Sequence, residues 1–208
     1  MKKSFTLVFF FILYNSVLFS QTDLSRDIVA AANEGYTAYL QKIPPGKETL
    51  FGFKNRDEFA IAKIGKPYQI FQLTKQFFTD TILTDENYVV PSGEWRVAIV
   101  TENENRVMVT VAKMEGNWKV VGIGAAGLAS ELESFEKLTN ESGQGGKILR
   151  VLPLDCEFVF YTEDPLLKSA KLHFLKSANI AFDQSTNEQS AFSLKQLLVT
   201  IKEKIGNK

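Results

Sequence analysis

The chain has one cysteine, Cys156, and one histidine, His173, in 208 residues. A lone cysteine excludes an intramolecular disulfide, and together the two residues are too few for the usual zinc ligand sets. No charge of either sign dominates, since 24 Lys and Arg balance 24 Asp and Glu. A nucleic-acid-binding domain shows a basic excess, and a protein drawn to anionic lipid shows a polybasic cluster. Neither is written here. No apolar run reaches the roughly 20 residues that span a bilayer. The spellings G-x-S-x-G and H-E-x-x-H, the EF-hand loop and the P-loop are also missing.

What is present starts with Lys2 and Lys3, then a short apolar run at residues 5–13, then small Ser20 before Gln21. That order predicts a secretory signal peptide over residues 1–20, cleaved between Ser20 and Gln21. A lipoprotein would need cysteine where Gln21 stands. Removing Lys2 and Lys3 leaves 22 basic against 24 acidic residues, a net charge of −2. The expected destination is the periplasm or the exterior, without stable membrane insertion after cleavage. Residues 21–208 can form a single domain with a substantial core.

Along that domain, apolar residues from Leu24 to Leu40 recur at helical spacing, with Ser25 as N-cap and Pro44-Pro45 as stop. A shorter helical turn is expected over 56–64, ended by Gly65, with a strand over 68–73. The clearest β signal runs from Glu94 to Ile123. Trp95, Val97 and Ile99 share one strand face; Val107, Val109 and Val111 share another, with polar "TENEN" and "MEGN" breaks. Such alternation predicts a three-stranded antiparallel meander. Leu128, Leu132 and Phe135 then stripe a helix ending near Asn140. The glycine-rich loop at 140–146 is the best internal boundary. Strands are expected over 147–152, 157–162 and 171–175. A closing helix carries Leu194, Leu197, Leu198, Ile201 and Ile205, with Ser193 and Gln196 as a capping box. The fold class is therefore α+β, a curved antiparallel sheet packed against a few helices.

Gly122, Gly124 and Gly127 spell G-x-G-x-x-G between a strand and a helix, the written form of a dinucleotide fingerprint. The preceding strand closes an antiparallel meander, however, and the motif needs a parallel βαβ unit with an acid about 20 residues on. The glycines are read as structural, letting strand turn closely into helix, so that Gly124→Val should damage folding. No cofactor and no metal are expected.

Cys156 alternates with Phe158 and Phe160 and is expected in the core, whereas His173 is expected on the solvent face of "KLHFL". They are weak candidates for a thiolate and its base. The acidic pairs Asp57-Glu58, Asp85-Glu86 and Glu163-Asp164 read as loop charge. Phe71, Phe77, Phe78 and Tyr88 sit in less regular sequence and are candidates to rim a groove.

The segments "AKIGKPYQIF", "EWRVAIV", "VMVTVAKMEGNWKVVGIG" and "PLDCEFVFY" resemble a class of exported bacterial proteins of the Bacteroidetes type, over much of residues 56–163. The helix-plus-meander plan is similar to that of cystatins, at the level of fold. The resemblance implies export and an α+β scaffold and transfers no catalytic residue. The expected function is a non-catalytic exported module that binds a protein, peptide or envelope component. The alternative is a secreted hydrolase with a cleft between helix and sheet, using Cys156 or a carboxylate pair. A cystatin-like protease inhibitor is a third reading. N-terminal sequencing of the exported protein should begin at Gln21; a start upstream of Leu18 would rule out this signal peptide.

Overall fold

A computed structural model describes residues 24–83, 87–139, 146–162, 164, 167, 169–183 and 191–206. The expected signal segment and most of the 140–146 loop lie outside the described residues.

Helix α1 covers residues 24–41 and buries Ile28, Ala31, Ala32 and Leu40. Ser25 lies inside it, one residue past the first described helical position, so it is not the expected N-cap. A 3-10 turn (Glu48–Phe51) and the short α2 (Glu58–Ile61) lead into β1 (Lys63–Leu73). The expected helix stop at Gly65 does not occur; Gly65 lies within β1, at an irregularity in its pairing with β2. Glycine is needed there because a Cβ would come 2.6 Å from Val100 on the neighbouring strand. The sequence signal was a close approach, not a helix stop.

Thr74 caps α3 (Lys75–Thr79) by accepting a 3.3 Å bond from the Phe77 amide. The meander follows as β2 (Val89–Thr101), β3 (Glu104–Met114) and β4 (Asn117–Gly124). Its turns, Glu102-Asn103 and Glu115-Gly116, have positive φ at both positions. That is type I′ geometry, whose twist matches the flanking strands. Next come α4 (Ala126–Thr139), β5 (Gly146–Val151), β6 (Cys156–Tyr161), β7 (Lys171–Phe174), α5 (Lys176–Ala181), β8 (Ala191–Ser193) and α6 (Leu194–Gly206). The capping box in front of α6 forms as expected. The Gln196 amide donates to Ser193 Oγ at 3.3 Å, and the Ser193 amide donates to Gln196 Oε1 at 3.1 Å.

The strands make one open eight-stranded sheet in the order β4-β3-β2-β1-β5-β6-β7-β8. Only β1 and β5 pair in parallel; every other pairing is antiparallel. The fold is thus the expected α+β plan, with helices on both sheet faces. On one face, α1 packs against Trp95, Val97, Ile99, Val107, Val109, Val111 and Val120. Beside it, α6, α3 and α5 cover Phe71, Leu149, Val151, Phe158, Phe160 and Leu172. On the other face α4 lays Leu128, Ala129, Leu132 and Phe135 over Tyr68, Ile70, Ala98, Met108, Ile148 and Val159.

The glycines of the G-x-G-x-x-G spelling do not have the role expected of them. A Cβ on Gly122, Gly124 or Gly127 meets no atom within 4 Å, and none of the three has positive φ. The left-handed residue at the β4–α4 junction is Ala125, with φ of 58°. A demanding glycine near Ala126 is Gly52, at φ +80°, where a Cβ would strike the Arg106 carbonyl. Gly52→Ala should lose about 1–3 kcal/mol in urea unfolding. Gly124→Val should unfold cooperatively within about 1 kcal/mol of the parent, the reverse of the expectation drawn from the spelling.

Candidate functional site

Cys156 is 1% exposed and lies with Phe158 and Phe160 on the α6 face of the sheet. His173 pairs with Val159 and stands on the opposite face, 4.8 Å from the Phe135 ring of α4. The sheet therefore separates thiol from imidazole, and neither reaches the other. The expectation that His173 faces solvent is corrected: α4 crosses over it. Its Nδ1 is buried with no hydrogen-bond partner among the described residues. Desolvation first, and Lys171 second, hold its pKa below the ordinary 6.5.

The groove expected from aromatics is not there. Phe71, Phe77 and Tyr88 are buried in the core under α6, Phe77 edge-on to Tyr88 at 5.9 Å. Phe78 is 40% exposed but packs edge-on against Phe77. Of the acidic pairs, Asp85-Glu86 and Glu163 lie outside the described residues. Asp164 accepts a 3.2 Å bond from the Ser169 amide.

Glu58 is buried, unlike the loop charge expected of it. Its Oε1 accepts from Arg106 Nη2 at 2.7 Å and from Thr101 Oγ1 at 3.2 Å, while Oε2 accepts from the Lys54 amide at 2.7 Å. Arg106 Nε donates to Thr101 at 2.7 Å, and Nη1 donates to Glu104. Both ions are buried and each nitrogen of the guanidinium donates, which a charge pair in a core requires. Arg106 stands at a bulge between β3 and β2, where Ile99 pairs with Val107 and Val100 with Asn105, and a buried charge there must find a partner.

Arg106 also lines a polar cleft of about 400 Å³ with Gly52, Glu104, Asn105, Ala126, Ser130, Glu133, Ser134 and Lys137. Glu133 accepts the Asn105 amide at 2.6 Å and the Lys137 ammonium. Burial works to raise its pKa, but the bonds from Lys137 and Asn105 outweigh burial and hold the carboxyl below its usual range. A hydrolytic carboxylate couple needs one member that keeps its proton near neutrality. Glu133 is tuned the other way. Among the described residues, no group of three His, Cys, Asp or Glu is placed to hold a metal ion.

The G-x-G-x-x-G segment is likewise outside a nucleotide-binding topology. Strand directions alternate from β1 through β4, and β5 runs parallel to β1, so β4 and β5 oppose each other. Helix α4 carries the chain over three strands to reach β5, where a dinucleotide site needs a parallel crossover. What β4 does offer is its outer edge. Among the described residues it pairs with β3 alone and is an end of the sheet. Lys119 is its only charged residue, a bulge lies where Thr110 and Val111 pair with it, and Val121 is exposed.

Comparison with protein-family models, with curated proteins and with solved structures finds no match for this chain. The site is accordingly read from its own geometry.

His173 is the only histidine, so its imidazole gives one unambiguous NMR titration. The midpoint should fall below 6.5. A base with a depressed folded pKa binds its proton better when unfolded, so stability is complete above 6.5 and declines as pH falls through the window beneath it. His173→Phe should remove that decline; a midpoint at or above 6.5 contradicts the burial argument.

Proposed function

We propose that this chain is an exported, non-catalytic binding module that receives an extended peptide segment of a partner protein along β4. The observation that carries the reading is the unpaired outer edge of that eight-residue strand. A sheet edge presents a row of backbone N–H and C=O groups that seek partners. An extended peptide supplies them as an added strand, main-chain bonds giving affinity and flanking side chains giving specificity.

Two features support this edge over the one at β8. β8 has three described residues, a much shorter edge than the eight of β4. On β4, Gly122 and Gly124 leave the space above them open, so another backbone can approach closely. Past Gly124 the chain passes through Ala125 to Ala126, which lines the polar cleft. An added strand could therefore run on toward a concave polar surface. The hydrolase alternative has less support, because Cys156 and His173 stand on opposite faces and Glu133 is held ionised.

The test pans a random peptide display library against the purified chain and follows the recovered peptide by amide hydrogen exchange. The expected result is an enriched peptide that slows exchange in residues 117–124. Failure to enrich any peptide over a blank surface, or protection confined to other strands, overturns the reading.

A further inference from the structure

On β2, alternation places Glu94 and Arg96 on the same face as Ala98, which lies beneath α4. On β5 and β6 the cross-strand pair Arg150 and Glu157 shares that face with Ile148 and Val159. These four side chains continue the α4 face beyond the apolar patch that α4 covers. Arg150 is well placed: Nε donates to Glu157 Oε1 at 3.1 Å and Nη1 donates to Glu94 Oε2 at 3.4 Å.

Arg96 is not. Among the described residues its ion pair with Glu157 has Nη2 3.7 Å from Oε1, outside hydrogen-bond reach, on a carboxylate already engaged by Arg150. Its Nε is buried with no hydrogen-bond partner among the described residues. The side chain is only 17% exposed, so water replaces few of the missing bonds. Leaving the buried Nε–H of a guanidinium unbonded is costly. Burial accordingly bears against its charge, with Glu157 offsetting part of the effect and Arg150 adding to it.

The charges around it narrow what could complete it. Arg96 and Arg150 balance Glu94 and Glu157, and Glu131 of α4, which feels the Glu157 charge, is balanced by Lys176. A bare anion would leave the cluster negative. A ligand that brings its own positive charge would not. Glu94 is 42% exposed and held by one 3.4 Å bond, so it has acceptor capacity facing solvent. Glu94 and Arg96 stand about 7 Å apart along the strand. Their partners on β3, Ala112 and Thr110, carry short side chains.

We infer that this open part of the α4 face is a binding site for a small zwitterion, with its carboxylate taken by Arg96 and its ammonium by Glu94. The inference is independent of peptide addition at β4.

The experiment titrates the purified chain with glycine, 4-aminobutyrate, acetate, methylammonium chloride and sodium chloride, following the Arg Nε–H resonances by NMR. A saturable shift of the Arg96 signal with either zwitterion is expected. Arg96→Gln should weaken binding about 10- to 100-fold. Because that variant removes an unsatisfied charge, it should fold. If it does not, Glu94→Gln serves instead, weakening zwitterion binding without strengthening acetate. No saturable shift overturns the site. Shifts matched by sodium chloride, by acetate alone or by methylammonium alone overturn the zwitterion assignment.

Discussion

The parallel pairing of β1 with β5 is the contact on which the architecture depends. It joins two antiparallel halves, β1 to β4 and β5 to β8, into one sheet. Parallel neighbours cannot be joined by a hairpin; they require a crossover that spans a sheet face. Helix α4 belongs to that crossover, and its position follows from the seam. Tyr68 and Ile70 of β1 face it, while Phe71 faces α6. The last turns of α4 are anchored at the same place. Glu136 accepts hydroxyl bonds from Tyr68 at 2.7 Å and Tyr161 at 3.2 Å, and pairs with Lys66 at 3.0 Å. Gly146 opens β5 where a Cβ would collide with the Tyr68 ring, so this junction tolerates no larger residue without movement.

The placement of α4 decides what chemistry the chain can assemble. It encloses His173 on one sheet face and leaves Cys156 to the other core. Its outer surface forms one wall of the polar cleft, and its inner surface ends before Arg96, leaving that guanidinium short of partners. Because β5 joins the sheet beside β1, β4 is left as an edge. The proposed peptide edge thus follows from strand order, and the proposed arginine site from a helix that covers only part of the face it crosses.

Much of the scaffold was legible because it rests on local periodicity. The meander, α4, α6 with its capping box, and strands β5 to β7 announce themselves by which residues alternate or recur. Gly65 misled for a local reason: glycine marks both helix ends and close strand contacts, and only the nearness of Val100 tells them apart. The short elements α3, α5 and β8 were missed because three to six residues carry too little periodicity. The aromatics Phe71, Phe77 and Tyr88 looked irregular in sequence because three different helices converge on them in space.

The sequence by itself determined the α+β class, the faces of the long strands and the burial of Cys156, because each follows from residue type and spacing within one element. Tertiary structure alone decided that G-x-G-x-x-G opens no nucleotide site, that Glu58 meets Arg106, that His173 lies under α4 and that Arg96 Nε has no hydrogen-bond partner among the described residues. Each of those depends on which strand lies beside which, and strand order is set by packing between segments far apart in the chain. Local pattern says which face a residue occupies; only the assembled sheet says what stands opposite.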